Sequence, residues 1–476
     1  MTIEAPAVGR VNHPPELSSR RRPRRTVVVY LALVIAPALA AVALLVLSAG
    51  HGNGEAVSGE QGTDHAMARL LLAVAVVVGA CKLAGLAAVR LGQPAVIGEI
   101  VSGILLGPSV LGAVSPSVAH ALVPASVLPQ IGVLAQLGVV LFVFLAGTEI
   151  DGGLLRGHGR LALVVSHVSI AMPFLLGVLV AQVAYGRFAP EGIGFLPFAL
   201  FLGVSMSITA LPVLARILQE TGLIRTEVGM LALTCALIDD ATAWCLLALV
   251  VALVVASSVV GVLTTVLLAG LFAAVLLGMV RPALARLGRS GRLPQPAVAV
   301  PVVLVAVLAA ASVTEWIGVH AIFGAFLLGL VFPTGNEVVR RVRDAFEGLT
   351  GMLLLPLFFA LSGLRTEIGL LGTDPTLWLW CGLVLTVAVA GKLGGSIVAA
   401  RAVGTGWTSS VQIGVLLNCR GLTELIVLNI GLDLGVLSPE LFTILVIMAL
   451  VSTAMAAPMA KWTATRTVAP AGASAL

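Results

Sequence analysis

Two adjacent carboxylates, Asp239 and Asp240, lie inside an apolar segment, LALTCALIDDATAWCLLALVVALVVA. The segment is long enough to cross a bilayer, where a carboxylate near a helix centre costs at least about 2.5–3.5 kcal/mol. Residues of this kind face a protein interior or a water-filled cavity. The pair therefore predicts a buried site that binds a cation or a proton.

The spacing of the two carboxylates suits an exchange reaction. Neighbouring positions on a helix point about 100° apart, so one carboxylate can face the site while the other faces a partner. Because the two charges are this close, they titrate as a coupled pair. A carboxylate tuned toward neutral pH holds either a proton or a metal cation, and this competition is the minimal chemistry of an exchanger. The structural alternative is a carboxylate that caps a neighbouring broken helix.

One lysine, Lys392, lies in the apolar segment VAVAGKLGGSIVAAR. A buried ammonium needs a carboxylate partner or loses its charge, and pairing with one of the two aspartates meets that need. The alternative is that the long side chain carries the ammonium to the membrane surface, which the mid-span position disfavours. Lys392 is thus predicted to be a charge partner of the acidic site.

Polar residues and a proline interrupt the apolar segment 195–218. Its sequence SMSITALPVLARIL places Ser207 and Thr209 before Pro212, and proline removes a backbone donor from a helix. The hydroxyls and freed carbonyls are candidate ligands of a small hard cation. Equally, the hydroxyls can bond back to their own helix.

A second interruption lies in the segment 408–432, whose sequence is LLNCRGLTELIVLNIG. Asn418 is a further candidate cation ligand. Arg420 and Glu424 are four residues apart, on one helix face, so they either pair internally and hold the unwound segment or shape the cation path. Two interrupted helices in matching places of two halves indicate a transporter site.

The composition excludes several classes of protein. Of 476 residues 59% are hydrophobic and only 10% are charged, against about 25% charged in soluble domains. The formal charge of +5 does not indicate nucleic acid, because the arginines lie in short loops between apolar segments. The five cysteines lie within predicted spans. The sequence shows no nucleotide loop or catalytic triad, so we expect that the protein is not an enzyme and needs no cofactor. The hydrophobic composition predicts a polytopic all-α membrane protein.

Apolar runs of about 20 residues predict spanning helices. Fourteen runs meet this criterion, at about 26–49, 65–90, 94–112, 126–147, 157–184, 195–218, 227–254, 257–280, 294–314, 317–333, 347–364, 377–400, 408–432 and 438–460. With a cytoplasmic N-terminus, most arginines fall in cytoplasmic loops, as the positive-inside rule requires. Both termini are therefore predicted to be cytoplasmic.

The first run, 26–49, is ambiguous, since a basic segment precedes it and small residues follow it, as in a signal peptide. Its apolar core is long for a signal peptide, which favours an uncleaved extra helix. We therefore predict three regions: a basic tail, extra helix and polar linker at 1–64, a transmembrane domain at 65–460, and a short tail at 461–476. Within this domain of thirteen predicted core helices, the helix order predicts that halves 65–254 and 294–460 around a linker helix form an inverted repeat, with one discontinuous helix in each half.

Five motifs occur in the order of one known family. QPAVIGEIVSGILLGPSVLG, LGVVLFVFLAGTEID, SITALPVLARIL, ALIDDATAW and LLNCRGLTELIVLNIGLDLGVLS closely resemble the monovalent cation:proton antiporter-2 family over about residues 65–460. The resemblance implies the sodium/proton antiporter fold, with two crossing discontinuous helices, and a homodimer. It also implies a core domain that moves against a dimerisation domain.

The resemblance also assigns roles to single residues. Asp240 matches the family's ion- and proton-binding aspartate, and Asp239 matches the position before it. Lys392 matches the core lysine that pairs with the acidic site in electrogenic relatives, while Thr209 and Arg420 fall in the two unwound segments. The segments also resemble plant-type cation/proton exchangers, so the transported ion is left open between Na⁺ and K⁺.

These observations predict an antiporter that exchanges H⁺ for Na⁺ or K⁺ across the plasma (inner) membrane by alternating access. Asp240 would bind the cation and the proton alternately, with help from Asp239. Two other transporting classes stay open: a proton-coupled transporter of a small organic substrate, and a cation channel with a continuous pore. A non-transporting membrane sensor is disfavoured, because the sequence carries no soluble signalling domain.

Overall fold

The computed structural model describes residues 66–149, 155–255, 259–289, 295–333 and 337–467. Within these ranges the chain is helical and contains no strand, which confirms the all-α prediction. The predicted extra helix at 26–49 and the linker after it lie outside the described residues. The last helix continues to Thr467, beyond the predicted boundary at 460.

The helices are numbered here in chain order. They are α1 Ala66–Arg90, α2 Ala95–Leu106, α3 Leu111–Val114, α4 Pro116–Leu122, α5 Leu128–Thr148, α6 Leu155–Phe188, α7 Phe195–Ser207, α8 Leu211–Glu220, α9 Glu227–Val255, α10 Val259–Val275, α11 Arg281–Arg289, α12 Pro296–Ile317, α13 Ala321–Val331, α14 Glu337–Leu349, α15 Leu355–Leu364, α16 Pro375–Ala402, α17 Trp407–Leu417, α18 Leu422–Asp433 and α19 Pro439–Thr467. One π-helical turn, Leu276–Val280, joins α10 to α11, and another, Thr350–Leu354, joins α14 to α15.

Eleven helical segments of the described chain are long and apolar enough to cross a membrane, or twelve if the bent pair α17–α18 counts as one span. The helix α13 is apolar but has only 11 residues. The thirteen core spans therefore remain a prediction. The shortening of α13 has a local cause, because Gly318 adopts a φ of +90° and ends α12, and α13 begins three residues later.

The spanning helices pack mainly as two groups. The core group contains α6 to α9 and α16 to α19, and the scaffold group contains α1, α2, α5 and α10 to α15. Glycines allow close approach of helices within the scaffold group. A Cβ on Gly103 would lie 2.2 Å from the carbonyl oxygen of Ala360, and one on Gly363 would lie 2.2 Å from that of Ile100. Only glycine fits where α2 crosses α15.

The two ends of the bundle differ in charge. Following the chain through its spans places many basic side chains at one end, which we call the basic end: Arg216, Arg340, Arg341, Arg343, Arg401 and Lys461. The opposite end, called the far end, carries the ion pairs Arg187–Asp374 and Arg365–Asp433. Two pairs of consecutive helices, α7–α8 and α17–α18, each extend from one end of the bundle to the other with a break between the two helices.

Candidate cation and proton site

The two predicted interruptions cross each other. The first lies between α7, which ends at Ser207, and α8, which begins at Leu211. The second lies between α17 and α18, whose axes differ by 42°. The backbone N–H of Ala210 donates to the carbonyl of Cys419 over 2.9 Å, which joins the two breaks. Irregular backbone at membrane depth is tolerated where protein buries it, and the residues of both breaks are buried.

Two buried cations neutralise the open end of α7. The Arg420 guanidinium donates to the carbonyls of Ser205 and Met206, and the Lys392 ammonium donates to the carbonyl of Ser207. These carbonyls belong to the last turn of α7, where helices carry unpaired acceptors and partial negative charge. Glu424 lies in the first turn of α18, where a negative charge is favourable for the same reason.

Arg420 and Glu424 form an internal ion pair. Their charged atoms are 3.2 Å apart, and both side chains are fully buried. The hydroxyl of Thr453 also donates to the carbonyl of Arg420 over 2.7 Å. Of the two alternatives drawn from the sequence, the geometry supports the pair that holds the unwound segment.

Asp239 is enclosed by donors. Three hydroxyls donate to its carboxylate, those of Ser166 at 2.5 Å, Ser169 at 3.2 Å and Thr209 at 2.6 Å. The Lys392 ammonium lies 3.1 Å from the same carboxylate, and both side chains are fully buried. A buried charge is tolerated when it is paired and hydrogen-bonded, and Asp239 meets both conditions.

Lys392 uses all of its hydrogen-bonding capacity. Besides Asp239, its ammonium donates to the carbonyls of Ser169 and Ser207 over 3.1 and 2.6 Å. An ammonium has three donors, so three acceptors saturate it. Lys392 therefore forms an ion pair with Asp239 and at the same time caps the C-terminal end of α7.

Asp240 has different surroundings from its neighbour. It is 5% exposed, and its carboxylate accepts a long hydrogen bond of 3.5 Å from the hydroxyl of Thr423 at the start of α18. The carboxylate also lines a cavity of about 540 Å³. As expected from the 100° rotation between neighbours, one aspartate faces a partner and the other faces an open space.

The cavity beside Asp240, called the basic-end cavity, lies between the two groups of helices. Core residues such as Pro212 and Ala215 form one wall, and scaffold residues such as Phe142 and Leu355 form the other. Two acidic side chains, Glu149 and Glu347, also line it. Both pair with the Arg343 guanidinium, at 3.3 and 3.5 Å respectively. Asp240 therefore lines the same cavity as two carboxylates that are paired with an arginine.

A second cavity, called the far-end cavity, lies along the same boundary and has a volume of about 460 Å³. Its scaffold wall includes Val139, Glu315 and His320, and its core wall includes Asn429 and Asp433 of α18. Since α18 begins next to Asp240 and ends in this cavity, one core helix contacts both regions.

The structure brings most predicted site residues together, with differences in detail. Thr209 contacts Asp239 rather than Asp240. The hydroxyl of Ser207 bonds back to Val204 of its own helix, and only its carbonyl takes part in the site. Asn418 lies buried in the second break, and neither polar atom of its side chain has a hydrogen-bond partner in the described part of the chain.

Three contacting residues were missed from the sequence: Ser166, Ser169 and Thr423. Serines and threonines in apolar helices commonly bond back to the preceding turn, so their presence alone carries little signal. The spacing of Ser166 and Ser169, three apart on one face, is the feature that could have found them. Thr423 directly follows the second break, which is also a usable signal.

Comparison with known proteins identifies the family of the chain. Residues 72–466 match the model of a family described as "Sodium/hydrogen exchanger, transmembrane". The chain is 41% identical over 395 residues to the Na(+)/H(+) antiporter NhaS4 of Synechocystis sp., covering 82% of this chain and 96% of that protein. It is 38% identical to Cation/H(+) antiporter 19 of Arabidopsis thaliana, over 86% of this chain but only 51% of that protein.

A solved structure shares the fold. The sodium proton antiporter MjNhaP1 from Methanocaldococcus jannaschii matches with a TM-score of 0.62 at 14% identity, over 84% of this chain and 100% of that one. These relatives are transporters, not enzymes. The chain belongs to the transmembrane sodium/hydrogen exchanger family, and it is a cation/proton antiporter.

Proposed function

We propose that this antiporter exchanges H⁺ for Na⁺ or K⁺ and that Asp240 carries the cation and the proton in turn. The observation that supports this most directly is the position of Asp240. Its carboxylate is nearly buried, yet it lines the basic-end cavity together with Glu149 and Glu347. A carboxylate in such a place is accessible to ions from one side and shielded from the other.

The cation would contact oxygen ligands, which suit hard monovalent ions. Asp240 supplies a carboxylate, and Thr423 places a hydroxyl 3.5 Å from it. Asn418 is the third candidate, because its amide is buried and has no hydrogen-bond partner among the described residues. Thr209 and Ser207 would act indirectly instead, because the Thr209 hydroxyl donates to Asp239 and the Ser207 carbonyl accepts from Lys392.

Asp239 and Lys392 would form the charge partner of the transport site. Lys392 would bond to the carboxylate when the site is empty or protonated, as in the described geometry, and release it when a cation enters. The release would free a second negative charge near the cation. Breaking a buried pair is costly, so the entering cation must replace the ammonium's attraction.

Transport would proceed by alternating access, with the core group moving against the scaffold group. Two cavities lie at opposite ends of the boundary between these groups, and one of them contains Asp240. This arrangement is expected of a carrier that opens to one side at a time, whereas a channel needs a continuous pore. We further propose that the protein is a homodimer in the plasma membrane with its basic end in the cytoplasm, following the positive-inside rule.

The test is proton movement in everted vesicles followed with a pH-sensitive dye. Respiration acidifies the lumen and quenches the dye, and Na⁺, K⁺ or Li⁺ is then added to wild type, Asp240→Asn and the control Thr234→Val. Thr234 is buried on the same helix and bonds only to its own backbone. Recovery of fluorescence in wild type and control but not in Asp240→Asn supports the proposal and names the ion. Equal recovery in Asp240→Asn would refute the site.

A further inference from the structure

A set of side-chain hydrogen bonds ties the core group to the scaffold group at the far end. The Arg365 guanidinium, at the end of scaffold helix α15, donates to Asp433 over 2.9 Å and to Asn429 over 3.1 Å. Both acceptors belong to core helix α18. The amide of Asn429 also donates to the hydroxyl of Ser362 on α15, over 2.8 Å. Three hydrogen bonds therefore cross the boundary between the two groups at this point.

These bonds lie beside the far-end cavity. Asn429 and Asp433 line it, as do Ile426 one turn earlier and Phe358 of α15. Ile426 is 1% exposed and lies between Asn429 and Thr423 along α18. Ile426 therefore lines the far-end cavity one turn of α18 away from Thr423, whose hydroxyl contacts Asp240.

We propose that Ser362, Arg365, Asn429 and Asp433 form a latch that holds the far end closed while Asp240 faces the basic end. The latch rests on the proposed alternating movement of the core group. Any shift of α18 along α15 that opens the far-end cavity to Asp240 must break these three bonds together. Their loss favours the state in which the site opens to the far end.

The chain offers a matched control for the latch. Arg187 and Asp374 form a second arginine–aspartate pair at the same end, with a separation of 3.1 Å. Both helices that carry it, α6 and α16, belong to the core group. Movement between the groups leaves this pair intact, so removing it has no effect on which side is open.

The experiment measures thiol accessibility in purified protein in nanodiscs, where both faces are in contact with the reagent. The parent carries Cys245→Ser, since Cys245 is the exposed cysteine among the described residues, and one reporter: Ile426→Cys or Val139→Cys at the far-end cavity, or Ala215→Cys at the basic-end cavity. Each reporter is combined with Arg365→Gln, Asp433→Asn or the control Arg187→Gln. The rate of reaction with a hydrophilic maleimide is the readout.

We expect Arg365→Gln and Asp433→Asn to raise the rates at the two far-end reporters by at least roughly two- to tenfold, the ratio that losing one typical hydrogen bond gives. The rate at Ala215→Cys falls in the same variants, and Arg187→Gln changes none of the rates. Equal rates at the far-end reporters in Arg365→Gln, Asp433→Asn and the parent would overturn the latch.

The outcome is independent of the transported ion. Accessibility needs no cation flux, so the latch can fail while Asp240-dependent antiport stands. Conversely, a protein whose flux does not depend on Asp240 would refute the proposed site even if the far-end reporters respond.

Discussion

The buried pair of Asp239 and Lys392 gives a quantitative prediction for the variant Lys392→Met. Both side chains are fully buried, and the charged atoms are 3.1 Å apart. Removing one partner of a buried pair costs about 3–5 kcal/mol, because the other charge is left uncompensated. Three hydroxyls still donate to Asp239 in the variant, so we expect a loss near the lower limit, about 3 kcal/mol.

The double variant Lys392→Met/Asp239→Asn separates the pair from other effects of Lys392. The lysine also caps α7 through the carbonyl of Ser207, and that contribution is lost in both backgrounds. A double-mutant cycle therefore isolates the interaction, with an expected coupling of at least about 1.5 kcal/mol. The free energy of unfolding, measured by denaturant titration of the purified protein in detergent, supplies the four values.

A matched cycle on Arg187 and Asp374 calibrates the result. That pair has a similar separation, 3.1 Å, but each side chain is 44% exposed, and exposed pairs give little or no measurable coupling. The losses in free energy of unfolding caused by Lys392→Met and Asp239→Asn could simply add, as expected at the exposed pair. That result would mean that the two charges do not stabilise each other and that Lys392 acts only as a helix cap.

Three further predictions concern other parts of the molecule. Thr423→Val removes the hydroxyl beside Asp240 and should raise the KM for the cation about tenfold, as expected for one hydrogen bond to a charged group; an unchanged KM, equal to that of Thr234→Val, would exclude Thr423 as a ligand. Gly363→Ala places a Cβ 2.2 Å from the Ile100 carbonyl, so we expect a loss of thermal stability of the purified protein, whereas Gly382→Ala, with nothing within 4 Å, should be neutral. The hydrogen bond from the Thr376 N–H has the largest effect in holding the pKa of Asp374 below its usual range, and the positive charge of Arg187 lowers this pKa further. A carboxyl group whose pKa is lowered in the folded state stabilises the fold fully above its ordinary pKa of about 4, and this stabilisation is lost as the pH falls from there through the lowered pKa. The melting temperature of wild type should therefore fall relative to that of Asp374→Asn below about pH 4, and parallel profiles of melting temperature against pH would contradict this prediction.

The sequence predicted the elements of the site better than their connections. Pro212 and the polar residues around Arg420 marked both breaks, because helix-breaking and charged residues are rare in apolar spans. Which aspartate pairs with Lys392 was not predictable from the residues alone, since it depends on the rotation of α9 relative to α16. The structure resolves this by turning Asp239 toward Lys392 and Asp240 toward the cavity.

Other features depend on contacts between distant segments. Ser166 and Ser169 are 73 and 70 residues from Asp239 along the chain. Their spacing of three places both on one helix face, but it does not indicate which distant carboxylate they contact. The same holds for Arg365, which lies 68 residues from Asp433. The number of spans was also difficult to predict, since α13 is apolar but shorter than a full span.

Purified protein in sealed proteoliposomes tests most directly whether Asp240 couples cation movement to proton movement. Cation uptake and internal pH are recorded together under an imposed pH gradient, for wild type and for Asp240→Asn. We expect the gradient to drive cation uptake in wild type, with protons leaving as cations enter, and neither movement in the variant. Cation uptake without proton movement, or coupled exchange that persists in Asp240→Asn, would contradict the account.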